Sequence, residues 1–296
     1  MEFRTSATSC GALDEISSGG LAVQILRKGA EPVSLRLGGI GYLHRDGELE
    51  PPATGWANHA TLMGYFLHRL VDGHTLYRGK PLSGGTHGFL RHFEFDEPVR
   101  LDDGLLYRVA SDRVPPDAYP LRVALDLSYR IVDGALRVEF CFTNEEPDLV
   151  AHVGFGLHPG FAVSRVDEAK ILLPAGRYVR HFAPGNFLDG RTEVLDFVGG
   201  EFPYPKSGLN GSYLLGIDGV PDRRFRIEDS GRSLELDFSE VPYVTFWNDS
   251  DSFLCVEPCW GLPDSNPQTA FEDKPGIQSI PPLGKLCRGF SIKPNP

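Results

Sequence analysis

Positive charge is scarce in this chain. Lys and Arg total 29 against 40 Asp and Glu, a net charge of -11. That balance argues against a nucleic-acid partner, which needs a basic stripe, and against docking on anionic membranes. Long apolar runs are missing too. No stretch approaches the roughly 20 residues of a membrane span, and Met1-Glu2-Phe3-Arg4-Thr5-Ser6 carries no apolar core of signal-peptide length. Cysteine is sparse and odd in number: Cys10, Cys141, Cys255, Cys259 and Cys287. Cys255 and Cys259 lack the two-residue spacing of a zinc knuckle, and no second pair exists. All five are therefore expected to be reduced packing residues of a cytoplasmic protein.

Helix-forming windows are also lacking. With 34 Gly and 24 Pro, few windows of helix length escape a breaker; the best, Ser164 to Leu173, is short and ends at Pro174. Period-two alternation takes their place. Val123, Leu125, Leu127, Tyr129 and Ile131 point one way, Asp133-Gly134 supplies a tight turn, and Leu136, Val138, Phe140 and Phe142 resume the pattern, which predicts a hairpin. Leu234 to Phe238, Tyr243 to Trp247, Phe253 to Val256, Leu21 to Leu26 and Arg288 to Ile292 read as further strands. No repeat or linker-like stretch divides the chain, and strands with Gly/Pro punctuation imply an all-β sandwich. One domain over residues 1–296 is expected.

Three residues carry charge or titratable nitrogen where neither is cheap. Glu257 lies in Phe253-Leu254-Cys255-Val256-Glu257-Pro258-Cys259-Trp260; an unpaired carboxylate in an apolar strand costs several kcal/mol, on the order of, so it is paired, hydrogen-bonded or functional. His87 lies in Gly84-Gly85-Thr86-His87-Gly88-Phe89-Leu90-Arg91 and His158 in Gly154-Phe155-Gly156-Leu157-His158-Pro159-Gly160-Phe161. Taken alone, His87 reads as a surface-loop residue and His158 as part of a backbone bend. Arg69, in Met63-Gly64-Tyr65-Phe66-Leu67-His68-Arg69-Leu70, could simply pair with a structural carboxylate.

In order along the chain these segments resemble the aldose 1-epimerase (mutarotase) family. The signature His-Gly-Phe-x-Arg is His87-Gly88-Phe89-Leu90-Arg91, preceded by His68-Arg69-Leu70 and by turns at Asp72-Gly73 and Gly79-Lys80. The second histidine motif is His158-Pro159-Gly160-Phe161. The glutamate motif is Cys255-Val256-Glu257-Pro258, trailed by Trp260-Gly261-Leu262-Pro263-Asp264, and Lys274-Pro275-Gly276-Ile277 through Pro281-Pro282-Leu283-Gly284 matches the closing loop and last strand. Two departures stand out: His68-Arg69 replaces the usual Asn-Arg pair, and Pro-Gly-Phe follows the second histidine where many members carry Thr-Tyr-Phe.

The resemblance implies a galactose-mutarotase-like β supersandwich and a reaction in which a base takes the C1 hydroxyl proton of a cyclic aldose while an acid protonates the ring oxygen. It makes Glu257 the base, His158 the acid, His87 a second donor near the ring oxygen and Arg69 a ligand of ring hydroxyls; Asp218 stands for the substrate-holding aspartate. Neither redox chemistry nor a leaving group is involved, so no cofactor is expected, and the partner is a small-molecule sugar. Glu257 and His158 are expected as carboxylate and imidazolium, each charge favouring the other. His87, His158, Glu257 and Arg69 should meet in one pocket on the concave face of the larger sheet. Three other readings share these residues: a sugar-phosphate (hexose-6-phosphate) mutarotase drawing on Arg69 or Arg91, a non-catalytic carbohydrate-binding or sensing protein, and a His₂Glu zinc site. The zinc reading lacks the close ligand spacing of the familiar motifs, and no metal is expected.

Overall fold

The structure is a computed structural model that describes residues 1–204 and 212–296. Its strands pair antiparallel into four sheets, of five, nine, eight and two strands among the described residues. Among the described residues helix is confined to five three-residue 3-10 turns, and none of them is long and apolar enough to cross a membrane. The window Ser164 to Leu173 is a turn running into the strand Lys170–Leu173.

The hairpin read from alternation forms as Val123–Val132 and Ala135–Asn144, in register from Val123 opposite Asn144 to Val132 opposite Ala135. Its inward residues are buried. It lies in the nine-stranded sheet, where Ala135–Asn144 also pairs with the terminal strand Lys285–Asn295. The eight-stranded sheet runs Thr192–Phe197, Gly176–His181, Tyr213–Gly219, Tyr243–Trp247, Phe253–Trp260 and Ala151–Ala162; Ala60–Tyr65 and Gln278–Ile280 both pair with the last of these.

The two large sheets meet through aromatic rings. Phe140 and Phe142 lie 5.1 and 4.7 Å from Phe155, and Phe155 stacks on Trp260 at 5.0 Å. Because side chains alternate across a strand, Phe155, Leu157 and Phe161 face this core while Gly156, His158 and Gly160 face the other side. The core is thus on one face of the eight-stranded sheet and the polar side chains of interest are on the other.

One expectation about cysteine is overturned. Cys141 and Cys287 stand directly opposite each other on the paired strands and form a disulfide; Cys10, Cys255 and Cys259 are free. The partners stand 146 positions apart in sequence, which hides the pairing from any local reading of spacing, and an expected reduced state of these two cysteines no longer argues for a cytoplasmic setting.

Candidate active site

A polar row crosses four strands of the eight-stranded sheet. Thr245 pairs with Glu257, and His158 pairs with Thr61. Between Glu257 and His158 the ladder holds at Gly156 opposite Cys259 and resumes unshifted at Gly160 opposite Cys255. It lapses between them because Pro159 and Pro258 have no N–H to donate. The unchanged register leaves His158 facing Glu257, with His158 Nε2 3.3 Å from Glu257 Oε1. The pocket lies on this sheet rather than on the larger, nine-stranded one. Sheet size depends on which distant strands join, and here the terminal strand enlarges the opposite layer.

Glu257, His158 and Thr61 line a cavity of about 260 Å³ together with His68, Arg69, His87, Arg91, Trp56 and Trp247. Five buried side-chain polar atoms lack a hydrogen-bond partner among the described residues; four of them, Thr61 Oγ1, His68 Nε2, His158 Nδ1 and Glu257 Oε2, belong to this cavity's lining. Buried polar groups are nearly always satisfied, so such a concentration marks a place built for a polar ligand.

Protonation departs from the expected ion pair. Burial pushes the Glu257 carboxyl well above its ordinary range. Burial, then the nearby His68 and Arg91, bring His158 down to about 3. Both shifts disfavour the charged forms. The resting pair is a protonated carboxyl beside a neutral imidazole, with one proton between them.

His87 enters from a loop whose backbone leaves no choice of residue beside it. Gly88 has φ +72°, and a Cβ there would lie 2.2 Å from the Gly64 carbonyl oxygen. The Gly64 N–H donates to the His87 carbonyl at 3.0 Å, and the His87 N–H donates to the His68 carbonyl at 2.7 Å. The His68 N–H donates to His87 Nδ1 at 3.1 Å, which fixes the tautomer: neutral His87 carries its proton on Nε2. Burial first, then His158, His68 and the two arginines, hold His87 well below the imidazole range. Its ring lies 5.3 Å from that of His158.

Trp56 closes one side. Its ring stacks 5.0 Å from His158 and lies over Gly160, where a Cβ would come within 2.5 Å of it. Trp247 meets the imidazole edge-on at 5.6 Å. With its amide turned to suit both neighbours, Asn58 accepts from Trp56 Nε1 at 3.1 Å and from Arg91 Nη2 at 3.3 Å.

The cavity therefore brings together Glu257, His158, His87 and Arg69, but not Asp218. Asp218 is largely exposed and paired with Arg223 at 3.2 Å. The register explains this. Leu214 pairs with Thr245 and so stands in the row of Glu257, which puts Asp218 four residues along the strand, roughly 13 Å away at 3.3 Å per residue. Sequence reasoning missed Trp56, Asn58, Thr61 and Trp247 as lining. The only local signal was Trp56 itself, a large ring after the small residues Ala53-Thr54-Gly55.

No family model matches the chain. It is 24% identical over 257 residues to Protein LacX (chromosomal) of Lactococcus lactis subsp. lactis, covering 80% of this chain and 85% of that protein. A galactose mutarotase related enzyme from Lactobacillus acidophilus superposes with a TM-score of 0.86 at 19% identity, over 96% of this chain and 97% of that one. A galactose mutarotase-like protein from Lactobacillus casei ATCC 334 gives 0.82 at 21%, over 96% and 100%. A galactose 1-epimerase from L. acidophilus NCFM gives 0.70 at 12%, over 99% and 98%. As the motifs implied, the chain has the galactose-mutarotase-like fold.

Proposed function

We propose that the protein is an aldose 1-epimerase that interconverts α- and β-anomers by acid–base ring opening. Glu257, ionised when it has passed its proton on, takes the C1 hydroxyl proton. His158, opposite it, supplies a proton to the ring oxygen, with the Nε2–H of His87 as a second donor near that oxygen. The C1–O5 bond opens, the free aldehyde rotates about C1–C2, and closure in the reverse sense gives the other anomer. Each positioned proton transfer contributes about 10²–10⁴-fold. The chemistry neither oxidises nor transfers a group, so acid, base and hydrogen-bond donors suffice.

The single observation that carries this reading is the Glu257–His158 pair at 3.3 Å, buried with one atom of each group left unpartnered in a cavity of polar side chains. Burial disfavours both charged forms, so the proton rests on Glu257 and reaches His158 when the substrate and the cavity's donors stabilise the charges that develop. Arg69 would bind ring hydroxyls.

A phosphorylated aldose is a second reading, favoured by Arg69 and Arg91, which line the cavity without forming an ion pair among the described residues. Two unneutralised guanidinium groups suit a phosphate better than a hydroxyl. The test is anomer exchange measured by NMR on anomerically pure aldoses and aldose 6-phosphates. Catalysed exchange is expected, and the preferred member of each pair separates the two substrates. No catalysed exchange with any of them, alongside sugar binding, would leave a carbohydrate-binding protein instead.

A further inference from the structure

The proton on His158 Nδ1 needs an acceptor that the described pair with Glu257 does not provide. Nε2 points to Glu257. A neutral imidazole that accepts from the Glu257 carboxyl through Nε2 must carry its own proton on Nδ1, and an imidazolium carries one there as well. Nδ1 is buried without a well-formed hydrogen bond; the backbone of His158 itself acts weakly on the ring but falls short of hydrogen-bond geometry.

The groups around the ring can be taken in turn. Trp56 and Trp247 cover it, and an indole N–H only donates. His87 is no acceptor either, since its Nδ1 is occupied by the His68 N–H and its Nε2 bears the proton. Thr61 remains. It stands directly opposite His158 on the neighbouring strand, is 3% exposed, and its hydroxyl oxygen is likewise buried without a partner. Directly opposed residues hold their Cβ atoms about 4.5–5.5 Å apart, within reach of a hydrogen bond after a small side-chain rotation.

We propose that Thr61 is a positioning residue whose hydroxyl oxygen accepts from His158 Nδ1–H, keeping Nε2 as the nitrogen that faces Glu257 and substrate. The role deepens the epimerase reading and rests on it for its kinetic consequence, while the tautomer itself does not. Without the hydroxyl, the Nδ1–H form leaves a buried donor unsatisfied. The neutral ring then shifts its proton to Nε2, which can no longer accept from Glu257.

The test compares wild type, Thr61→Val and Thr61→Ser by ¹⁵N NMR of the His158 ring and by anomer exchange. Wild type should show the Nδ1–H tautomer and Thr61→Val the Nε2–H tautomer. In Thr61→Val, kcat should fall about ten- to a hundredfold with KM within about threefold, the scale of losing a group that orients a functional side chain. Thr61→Ser, which restores the hydroxyl, should recover both signals. A wild-type spectrum with the proton on Nε2, an unchanged tautomer in Thr61→Val, or a Thr61→Ser variant as impaired as Thr61→Val would overturn the proposal. If wild type catalyses no exchange, the epimerase reading fails, and the tautomer comparison alone decides the role of Thr61.

Discussion

Two acid–base pairs among the described residues are buried on both sides, and they are built to opposite specifications. In one, Lys274 Nζ sits 2.8 Å from Asp264 Oδ1, with side chains 2% and 0% exposed. The second Asp264 oxygen accepts from the Val71 N–H at 3.0 Å and from Gln268 Nε2 at 2.8 Å, so the carboxylate is saturated. In the other, Glu257 and His158 touch at 3.3 Å, and the remaining oxygen and nitrogen have nothing. The first pair ties the segment after the Glu257 strand to the loop before Gln278–Ile280 and to Val71. The second holds no segments together that the sheet does not already hold. A buried acid–base pair whose carboxylate oxygens both have partners fixes structure; a pair left half-satisfied in a cavity is available for chemistry.

The largest effect on stability should come from breaking the saturated pair. Asp264→Ala strands a buried ammonium and should cost about 3–5 kcal/mol, read from urea unfolding. Glu257→Gln should be close to neutral by the same measurement. Equal losses would erase the distinction between the pairs.

Gly160→Ala sharpens the comparison from the cavity side. The new methyl meets the Trp56 ring at 2.5 Å, so Trp56 must leave His158, at a cost of about 1–3 kcal/mol for overpacking. Anomer exchange should fall more than in a variant of equal stability loss elsewhere, because the imidazole loses its cover. An exchange rate that simply tracks stability would argue that Trp56 is packing alone.

The smallest effect is in the pH dependence of stability. Burial lowers both His68 and His158 to about 3 from 6.5. The unfolded chain then binds more protons than the folded one between these values, so their contribution is complete above about 6.5 and is lost as pH falls toward 3. Glu257, raised above 4.5, acts in the opposite direction: its contribution is complete below the unfolded value and is lost as pH rises through the folded one. His68→Asn removes one histidine from the acid-side loss and should flatten the fall in unfolding free energy from urea melts between pH 6.5 and 4.5, by at most about 1.4 kcal/mol per pH unit. An unchanged slope would mean that His68 titrates normally.

How much of this was legible in the sequence follows from the range of each signal. Alternation and the Asp133-Gly134 turn are local, and the hairpin they predict forms residue for residue. Glu257 announced itself by its apolar neighbours, and His87 by glycines that the backbone requires. What failed was non-local. Asp218 was chosen from its own segment, yet its distance from the cavity is set by the pairing of Leu214 with Thr245. The Cys141–Cys287 pairing depends on the terminal strand returning beside the central hairpin. Thr61 carried no signal at all, since a threonine in a strand is unremarkable until the residue opposite it is known to be His158. The charge state of the central pair went astray for a related reason: attraction between Glu and His was foreseen, but not the degree to which the surrounding chain would exclude water from both.

The central claim is that the unsaturated pair moves protons, and one substitution addresses it directly. Glu257→Gln keeps the shape and removes the base. The measurement is the rate of α–β exchange by NMR at a sugar concentration that saturates both proteins, with binding followed separately. Exchange should drop by about two to four orders of magnitude while sugar affinity stays within about tenfold, since an amide still hydrogen-bonds the C1 hydroxyl. Exchange in Glu257→Gln as fast as in wild type would contradict the account.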